Sequence, residues 1–147
     1  MQITRLTLTN KNINEVIQLI KQTFLEFVAP DYDESGINNF FKFAKDEDVL
    51  KQLVFYETLH NDKITGILAV DYKLNHICLF FVDKDLQNTS IGTALFKKFL
   101  NESMPKAVTV NSSPFAVKVY EKLGFTATSG RQVSDGIFYI PMRYSSK

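Results

Sequence analysis

The fold follows from the stretch LFFVDKDLQNTSIGTALF, residues 79–96. Its first four residues are apolar and predict a buried strand, whereas apolar residues from Ile91 to Phe99 recur at the spacing of an amphipathic helix. Small polar residues join the two elements, and Ser90 is the expected N-cap. The first N–H groups of a helix have no partner within it, so this junction aims several donors at one point. Gly92 lacks a side chain and lets an anion approach the backbone. The pattern predicts a phosphate cradle.

The common nucleotide-binding signatures are absent from the chain. Neither G-x-x-x-x-G-K-[ST] nor G-x-G-x-x-G occurs, so the sequence does not indicate a P-loop or a dinucleotide fold. Taken alone, the stretch is also compatible with an ordinary strand, turn and helix with a serine cap.

A second informative segment is VTVNSSPFAVKVYEKLGF, residues 108–125. Its β-branched start predicts a strand, Pro114 suits the first turn of a helix, and Gly124 ends that helix. The strand delivers Asn111 to its end and the helix delivers Tyr120 nearby. An Asn side chain suits an amide-containing chain, and a Tyr offers one proton. The alternative interpretation is that Asn111 is a turn residue and Tyr120 a core tyrosine with its hydroxyl at the rim.

Together the two segments resemble the GNAT superfamily of acyl-CoA-dependent N-acetyltransferases. The phosphate loop of that family has the form Q/R-x-x-G-x-G/A, and Gln87, Ser90 and Gly92 stand at its three defined positions, with serine replacing the first glycine. Residues 108–125 are similar to the family's strand-Asn-helix-Tyr-x-x-x-Gly-Phe element. Residues 76–83 look like the strand that enters the loop.

The resemblance implies acetyl-CoA as the co-substrate and direct attack by a primary amine on its thioester. It implies that backbone groups of Phe80, Phe81 and Val82 lie along the pantetheine, that Asn111 holds the pantetheine arm, and that Tyr120 faces the thioester sulfur as the catalytic acid. The pyrophosphate would be bound by the loop and the start of the helix. The residues implied there are Gln87, Asn88, Thr89, Ser90, Ile91, Gly92 and Thr93.

The base and the acceptor are less defined by the sequence. Glu57, His76 and Asp83 are the candidate bases, although His76 and Asp83 equally suit a strand start and a turn. The resemblance implies that residues 27–34 grip the acceptor. Their three acidic residues would attract a cationic amine or else form a solvated turn. A non-catalytic acyl-CoA-binding module and a purely structural domain are the competing classes.

Composition predicts a single domain over residues 1–147, with 45% hydrophobic residues and a formal net charge of +1. Because that charge cannot neutralise many phosphates, nucleic acid is not an expected partner. The apolar runs are too short for a bilayer and the N-terminus has no signal-peptide core, so no membrane partner is expected. The lone Cys78 and the missing signal predict a cytoplasmic protein. His60 and His76 lack metal-ligand spacing, so no metal is expected. The expected partner is a small-molecule or peptide amine, and a homodimer is compatible with the sequence.

The remaining pattern predicts an α+β fold with three layers, in which helices flank a mixed, mostly antiparallel central sheet. Strands are expected over residues 2–8, 53–59, 64–72, 126–132 and 137–143. Asn12 with Glu15 predicts a capping box before the first helix, and Ser35 is expected to start the second. The family resemblance implies that the sheet splays between its fourth and fifth strands.

Overall fold

The computed structural model describes residues 2–6, 12–86, 89–134 and 136–146, apart from the side chains of residues 27, 31 and 84. The strands are β1 Gln2–Leu6, β2 Val54–His60, β3 Lys63–Asp71, β4 His76–Val82, β5 Ala107–Ser112, β6 Thr126–Ala127, β7 Gln132–Ser134 and β8 Ile137–Ser145. The helices are α1 Ile13–Thr23, α2 Glu34–Ala44, α3 Glu47–Leu50, α4 Ile91–Ser103 and α5 Val117–Lys122. A π-helical turn, Phe24–Val28, and a 3₁₀ turn, Ala29–Asp31, continue α1. Two further 3₁₀ turns are Lys84–Leu86 and Pro114–Ala116.

The strands form one sheet in the order β1-β2-β3-β4-β5-β8-β6, and β7 pairs with β8 beside this path. All of these pairings are antiparallel except the one between β4 and β5. The predicted α+β class, with a mixed and mostly antiparallel sheet, is therefore confirmed. The parallel pairing consists of two residue pairs, His76 with Thr109 and Ile77 with Val110. From Cys78 onward the two strands separate, so the splay lies between the fourth and fifth strands as expected.

The separation coincides with an irregularity in β4. Ala69 pairs with Leu79 whereas Val70 pairs with Ile77, so Cys78 is an extra residue in the ladder between β3 and β4. Such a bulge bends its strand and increases the local twist. The bend therefore helps to turn the second half of β4 away from β5.

Helices cover both faces of the sheet and divide the core in two. On one face α4 and α5 pack against residues that include Tyr56, Leu68, Val70, Val108 and Val110. On the other face α1 and α2 pack against residues that include Phe55, Ile67, Ala69 and Leu79. The alternation of side chains along each strand supplies both layers, which is why the central strands are apolar throughout.

A two-residue turn joins β2 and β3 in a hairpin, between the two strands expected from the sequence. Asn61 and Asp62 have φ of +51° and +63°, the values that a two-residue hairpin turn requires. Both residue types tolerate this region better than most. Strand β1 ends at Leu6. The last two residues of the predicted 2–8 strand lie outside the described part of the chain.

The predicted capping box before α1 is wrong. The Asn12 side chain makes no cap hydrogen bond, and Glu15 Oε1 accepts instead from the Ile64 N–H at 3.0 Å. Glu15 therefore ties α1 to the start of β3. A capping box needs an N-cap residue in extended conformation, whereas Asn12 has helical φ and ψ of −103° and −15°.

Two further boundaries differ from the prediction. The second helix begins one residue earlier than expected, because Asp33 and not Ser35 caps it, with Oδ1 accepting from the Gly36 N–H at 2.8 Å. The single strand predicted over residues 126–132 consists of the start of β7 and the separate two-residue strand β6. Residues 128–131 between them have no strand pairing.

Candidate active site

A cleft of about 170 Å³ opens where β4 and β5 part. The C-terminal half of β4 and the end of β5 form its floor, the start of α4 and α5 form one side, and the end of α1 with the following turn forms the other. The lining residues are Thr23, Phe24, Val28, Tyr32, Phe40, Ile77, Cys78, Leu79, Phe80, Phe81, Val82, Gly92, Val110, Asn111, Ser113, Phe115, Ala116, Val119 and Tyr120.

The two halves of the cleft lie on opposite faces of the sheet. Phe80 and Val82 pack with the α4 and α5 layer, whereas Phe81 packs with the α1 and α2 layer. The split between the strands connects the two halves. Beyond Ile77 the edge of β4 that would otherwise pair with β5 therefore borders the cleft.

The predicted phosphate loop is described only in part. Gln87 and Asn88 lie outside the described residues, and Thr89 and Ser90 are exposed. Ser90 occupies the N-cap position of α4 as predicted, and its carbonyl accepts from the Ala94 N–H at 2.9 Å, but its φ and ψ of −82° and 6° are not extended and its side chain makes no cap hydrogen bond. Thr89 lies at that end instead. Its Oγ1 donates to the Leu86 carbonyl at 2.6 Å and accepts from the Ile91 N–H at 3.5 Å.

The first turn of α4 has the features that an anion site needs. It carries no acidic residue, and Gly92 lines the cleft, whereas Ile91 is buried in the core and Thr93 is exposed. A Cβ placed on Gly92 would lie 3.6 Å from the Phe80 ring and 4.0 Å from Val82 Cγ2. These are ordinary contact distances, so a methyl group fits there. Any longer side chain at position 92 would have to occupy the cleft.

Tyr120 lies in the cleft wall opposite β4. It is 6% exposed, and its ring meets the rings of Phe80 and Phe125 edge-on, with centroids 5.9 and 5.3 Å away. Within the described part of the chain its hydroxyl has no hydrogen-bond partner. Burial raises the pKa of Tyr120 far above its ordinary value, so the hydroxyl keeps its proton at any physiological pH. The side chain is thus a buried proton donor at the edge of a cleft.

The short helix that carries Tyr120 begins as the sequence predicted, with one addition. Pro114 occupies the first turn, and Ser113 Oγ caps it by accepting from the Ala116 N–H at 3.3 Å. Gly124 follows the helix with φ of +104°, a conformation in which a side chain would be strained. Asn111 is exposed near the end of β5, opposite Pro141, and lines the cleft.

None of the three candidate bases lines the cleft. Glu57 accepts from Thr4 Oγ1 at 3.2 Å, and burial raises the pKa of its carboxyl. His76 Nδ1 shares a hydrogen bond of 2.8 Å with Thr109 Oγ1, and burial lowers the pKa of its imidazole. Asp83 has the turn role that the sequence also allowed.

Asp83 is held by two contacts at the end of β4. Its Oδ1 accepts from the Asp85 N–H at 2.9 Å, and its Oδ2 lies 3.8 Å from Lys63 Nζ. Its backbone N–H donates to the Thr65 carbonyl at 2.8 Å. The carboxylate thus organises the start of the loop.

The acceptor side of the cleft is aromatic. Phe24, Val28, Tyr32 and Phe40 line it, and of these only Val28 and Tyr32 fall in the predicted segment 27–34. Of the acids there, Glu34 is exposed and Asp33 caps α2, and neither lines the cleft; the Asp31 side chain lies outside the description. Sequence analysis missed Phe24, because its place in the apolar stripe of α1 is also that of a core residue.

Cys78, the lone cysteine of the sequence, also lines the cleft. It occupies the bulge of β4 and is half-buried, and burial raises the pKa of its thiol. In the described ranges, no three His, Cys, Asp or Glu side chains are grouped as a metal site. No helix within those ranges is long and apolar enough to cross a membrane.

Several solved structures superpose on almost the whole of this chain. A GCN5-related N-acetyltransferase of Rhodopseudomonas palustris superposes with a TM-score of 0.83 at 18% identity, over 99% of this chain and 95% of that one. The PaiA N-acetyltransferase of Thermoplasma acidophilum, solved in complex with coenzyme A, gives 0.76 at 15% identity over 99% and 100%. An aminoglycoside 6'-N-acetyltransferase complexed with coenzyme A gives 0.70 at 13% identity over 99% and 97%.

At these identities the superpositions show the fold alone. Among curated proteins, no sequence matches this chain significantly. The family model of the acetyltransferase (GNAT) domain matches residues 28–146, which is most of the sequence. This chain therefore belongs to the GNAT acetyltransferase family.

Proposed function

We propose that this chain acts as one acetyltransferase domain that moves an acetyl group from acetyl-CoA to a primary amine by direct attack. One observation carries the proposal. β4 and β5 part at Cys78, and the cleft between them is lined on one side by Tyr120, whose ring is buried and whose hydroxyl makes no hydrogen bond within the described part of the chain. A proton donor is thus held at a site open to a ligand.

The residues present suit acetyl-CoA. The amide groups of pantetheine match the open edge of β4 and the exposed Asn111 side chain, because both offer donors and acceptors. The start of α4, with Gly92 in the cleft wall and no acid in its first turn, suits the pyrophosphate. The coenzyme A complexes of the PaiA and aminoglycoside enzymes support the same assignment. When bound, acetyl-CoA supplies an acetyl group on a thioester that an amine nitrogen attacks directly.

Tyr120 acts at the leaving sulfur. In water, proton transfer from a tyrosine of pKa ~10 to a thiolate of pKa ~8.5 is uphill by about 2 kcal/mol. Burial raises the pKa of Tyr120 further, which makes complete transfer still less favourable, although the thiolate also becomes more basic in a dry site. We therefore assign Tyr120 as a hydrogen-bond donor that stabilises the developing thiolate.

Water takes the proton of the attacking amine in this proposal. Among the described side chains, those that line the cleft include no carboxylate or imidazole. Freeing the lone pair of an amine of pKa ~10.4 at neutral pH costs about 4.6 kcal/mol. For an amine of pKa ~8 the cost falls to about 1.4 kcal/mol. Turnover should therefore rise with pH up to the pKa of the amine itself.

Position 92 provides the test of co-substrate binding. Gly92→Glu places a long anionic side chain in the cleft and should weaken acetyl-CoA binding about 100-fold or more, measured by titration calorimetry. Gly92→Ala is the matched control, since its methyl group meets Phe80 at an ordinary 3.6 Å, and its affinity should stay within about threefold. Equal binding by the wild type and the Glu variant would contradict the assignment of this helix start.

Release of free CoA thiol in the presence of amines tests the transfer itself. The proposal requires acetyl-CoA-dependent acetylation of at least one primary amine. Binding of acetyl-CoA without turnover of any amine would instead identify a non-catalytic acyl-CoA-binding module. Absence of both acetyl-CoA binding and amine turnover would identify a purely structural domain.

A further inference from the structure

We propose that the acceptor is a small monoamine whose body is apolar, with an aromatic ring or a hydrocarbon group of similar size one or two carbons from the nitrogen. The inference rests on the proposed acetyl transfer. It deepens that proposal by assigning the chemical class of the acceptor. The observation behind this proposal is the set of residues that line the cleft on the side of α1 and α2.

The acceptor wall consists of packed rings. Phe24 stacks on Phe40 with centroids 3.9 Å apart and planes 6° from parallel. Tyr32 meets Phe24 edge-on at 5.1 Å and 76°. Phe24 is fully buried, so these contacts fix the ring that the others pack against. A flat apolar body would bury its surface against such a wall and also gain ring-to-ring contacts.

The charged side chains that the structure describes in the surrounding segments are engaged or exposed elsewhere. Lys21 Nζ lies 6.0 Å from the Phe41 ring, Asp33 caps α2, and Glu26 and Glu34 are exposed. None of these four residues lines the cleft. Even the hydroxyl of Thr23, which does line it, donates to the Leu19 carbonyl at 2.8 Å. A second ammonium group on the acceptor would therefore lose water against hydrocarbon, which is costly.

The size of the cleft limits the acceptor further. Its volume of about 170 Å³ is close to that of a cavity of roughly 150 Å³ that accommodates benzene. The same space must also admit the thioester end of the co-substrate. A small body, or the first residue of a longer chain, suits that space.

The aromatic wall is continuous with the proposed site of chemistry. Phe40 lies 6.1 Å from Phe81 of β4 in an edge-on contact. The neighbouring residue, Phe80, lies across the sheet and contacts the Tyr120 ring. A body held against the Phe24 and Phe40 side therefore directs a short amine arm through the split in the sheet toward Tyr120.

Three matched amines test the inference with the wild-type protein and acetyl-CoA. 2-Phenylethylamine should be acetylated with a kcat/KM about tenfold or more above that of 1,5-diaminopentane, which adds a second ammonium. 2-Cyclohexylethylamine, which has the same shape class without the ring electrons, should fall within about tenfold of 2-phenylethylamine. An equal or higher kcat/KM for the diamine would overturn the inference while leaving acetyl transfer intact.

A tripeptide substrate distinguishes the two sources of such an acceptor, a free amine and the N-terminus of a peptide. The tripeptide Phe-Gly-Gly presents the same ring and amine at the end of a chain. A kcat/KM near that of 2-phenylethylamine would place peptide N-termini in the acceptor class. A much lower value would restrict the class to free amines. Acetylation of Gly-Gly-Gly as efficient as that of Phe-Gly-Gly would count against an apolar subsite.

A substitution in the wall provides a second test. Val28 is partly buried and lines the cleft, so Val28→Glu places a carboxylate on the acceptor side. The preference for 2-phenylethylamine over 1,5-diaminopentane should fall about tenfold or more, whereas acetyl-CoA affinity should change little. Val28→Leu is the control and should keep the preference. An unchanged preference in a folded Glu variant would contradict this placement of the acceptor.

Binding measurements separate failure of the inference from failure of the proposed function. If no amine is acetylated, the proposed transfer is wrong. The protein, with and without CoA, is then titrated calorimetrically with 2-phenylethylamine and 1,5-diaminopentane. Tighter binding of the aromatic amine would still support the apolar subsite. Equal binding, or no binding of either, would overturn it.

Discussion

Tyr120 is the side chain that joins the hydrophobic core to the proposed chemistry. Its ring packs between Phe80 and Phe125, while its hydroxyl has no partner among the described residues. The sequence offered two interpretations, a core tyrosine and a site tyrosine. The geometry satisfies both, because the ring is buried and the residue also lines the cleft.

Tyr120→Phe should leave the fold and the acetyl-CoA affinity nearly unchanged, because only the hydroxyl is removed. We expect kcat to fall about 10²-fold, since loss of a positioned donor typically costs about 10²- to 10⁴-fold. Steady-state and single-turnover kinetics with one amine measure the effect. Tyr144→Phe is the matched control, because Tyr144 also packs on Phe125, at 5.7 Å, but does not line the cleft. A single-turnover rate that is the same in both variants would rule out Tyr120 as the donor.

Five of the residues predicted to bind the co-substrate line the cleft. They are Phe80, Phe81, Val82, Gly92 and Asn111. Each stands near the end of a strand or the start of a helix, and the spacing of residues in a motif marks where such elements begin and end. Ser90 stands at the predicted N-cap position, but its side chain does not cap the helix for a local reason. Capping depends on backbone φ and ψ, which a small polar residue does not determine. The candidate bases do not line the cleft. A side chain on a strand faces only one side of the sheet, and the sequence does not show which side that is.

At the scale of elements, the end of α1 decides the shape of the acceptor side. The π-helical turn Phe24–Val28 widens the helix just where it reaches the cleft, as such turns often do near functional sites. Phe24 and Val28 both line the cleft as a result. Apolar periodicity predicts a helix there but does not predict a π turn, because the wider turn is stabilised by tertiary packing. The family resemblance therefore placed Val28 and Tyr32 on the acceptor side, but nothing in the sequence indicated the π turn that begins at Phe24.

The start of α2 docks tightly on the turn that leads into β8. A Cβ on Gly36 would overlap the backbone carbonyl oxygen of Gly136, and a Cβ on Gly136 would overlap Asp33 Oδ1. Gly136 also has φ of +78°. The absence of side chains at both positions thus allows the hairpin of β7 and β8 to approach the cap of α2. Asp33, which takes part in this contact, directly follows Tyr32 in the chain.

Gly36→Ala should therefore cost about 1–3 kcal/mol of unfolding free energy, because backbone atoms must move apart. The displaced helix start should raise KM for the amine several-fold more than it weakens acetyl-CoA binding. Urea denaturation and steady-state kinetics give the two values. Gly130→Ala serves as control, since nothing lies within 4 Å of a Cβ there. Equal stability of the two variants would show that the docking is not tight in solution.

At the scale of the whole molecule, the partly buried His76 should make stability depend on pH. Burial lowers the pKa of His76 in the folded state, so its contribution is fully present above the unfolded value of about 6.5. It is lost as pH falls through the folded value. The Asp71 carboxylate opposes this lowering in part. Each tenfold change in proton affinity is worth about 1.4 kcal/mol.

His76→Gln keeps a hydrogen-bonding group for Thr109 but cannot titrate. The unfolding free energy of the wild type should therefore drop more between pH 7.5 and pH 5 than that of the variant. Urea denaturation at the two pH values measures the difference. Because other groups titrate equally in both proteins, only the difference between the drops is informative. Parallel curves would mean that His76 stays accessible to protons in the folded state.

The overall architecture was predictable because its long-range order follows from strongly patterned segments. Buried apolar strands, amphipathic helices and a two-residue hairpin turn each leave a clear sequence signal, and the family resemblance supplied their arrangement, including the splay. Short elements were either missed, as was the helix at 47–50, or merged, as were the two strands within 126–134. The helix Glu47–Leu50 and the strands Thr126–Ala127 and Gln132–Ser134 are held by their neighbours and have too few residues to show a period.

The two residue pairs that join β4 to β5 have a consequence for cooperativity. Strands β1 to β4 form one hydrogen-bonded half-sheet and β5 to β8 form another, so helix side chains and not backbone bonds supply most of their coupling. Each half-sheet can therefore open separately, and amide hydrogen exchange would detect the two halves as separate units. A ligand bound between β4 and β5 would contact both half-sheets and hold them together. Its binding should slow exchange in both halves together, including amides far from any contact with it.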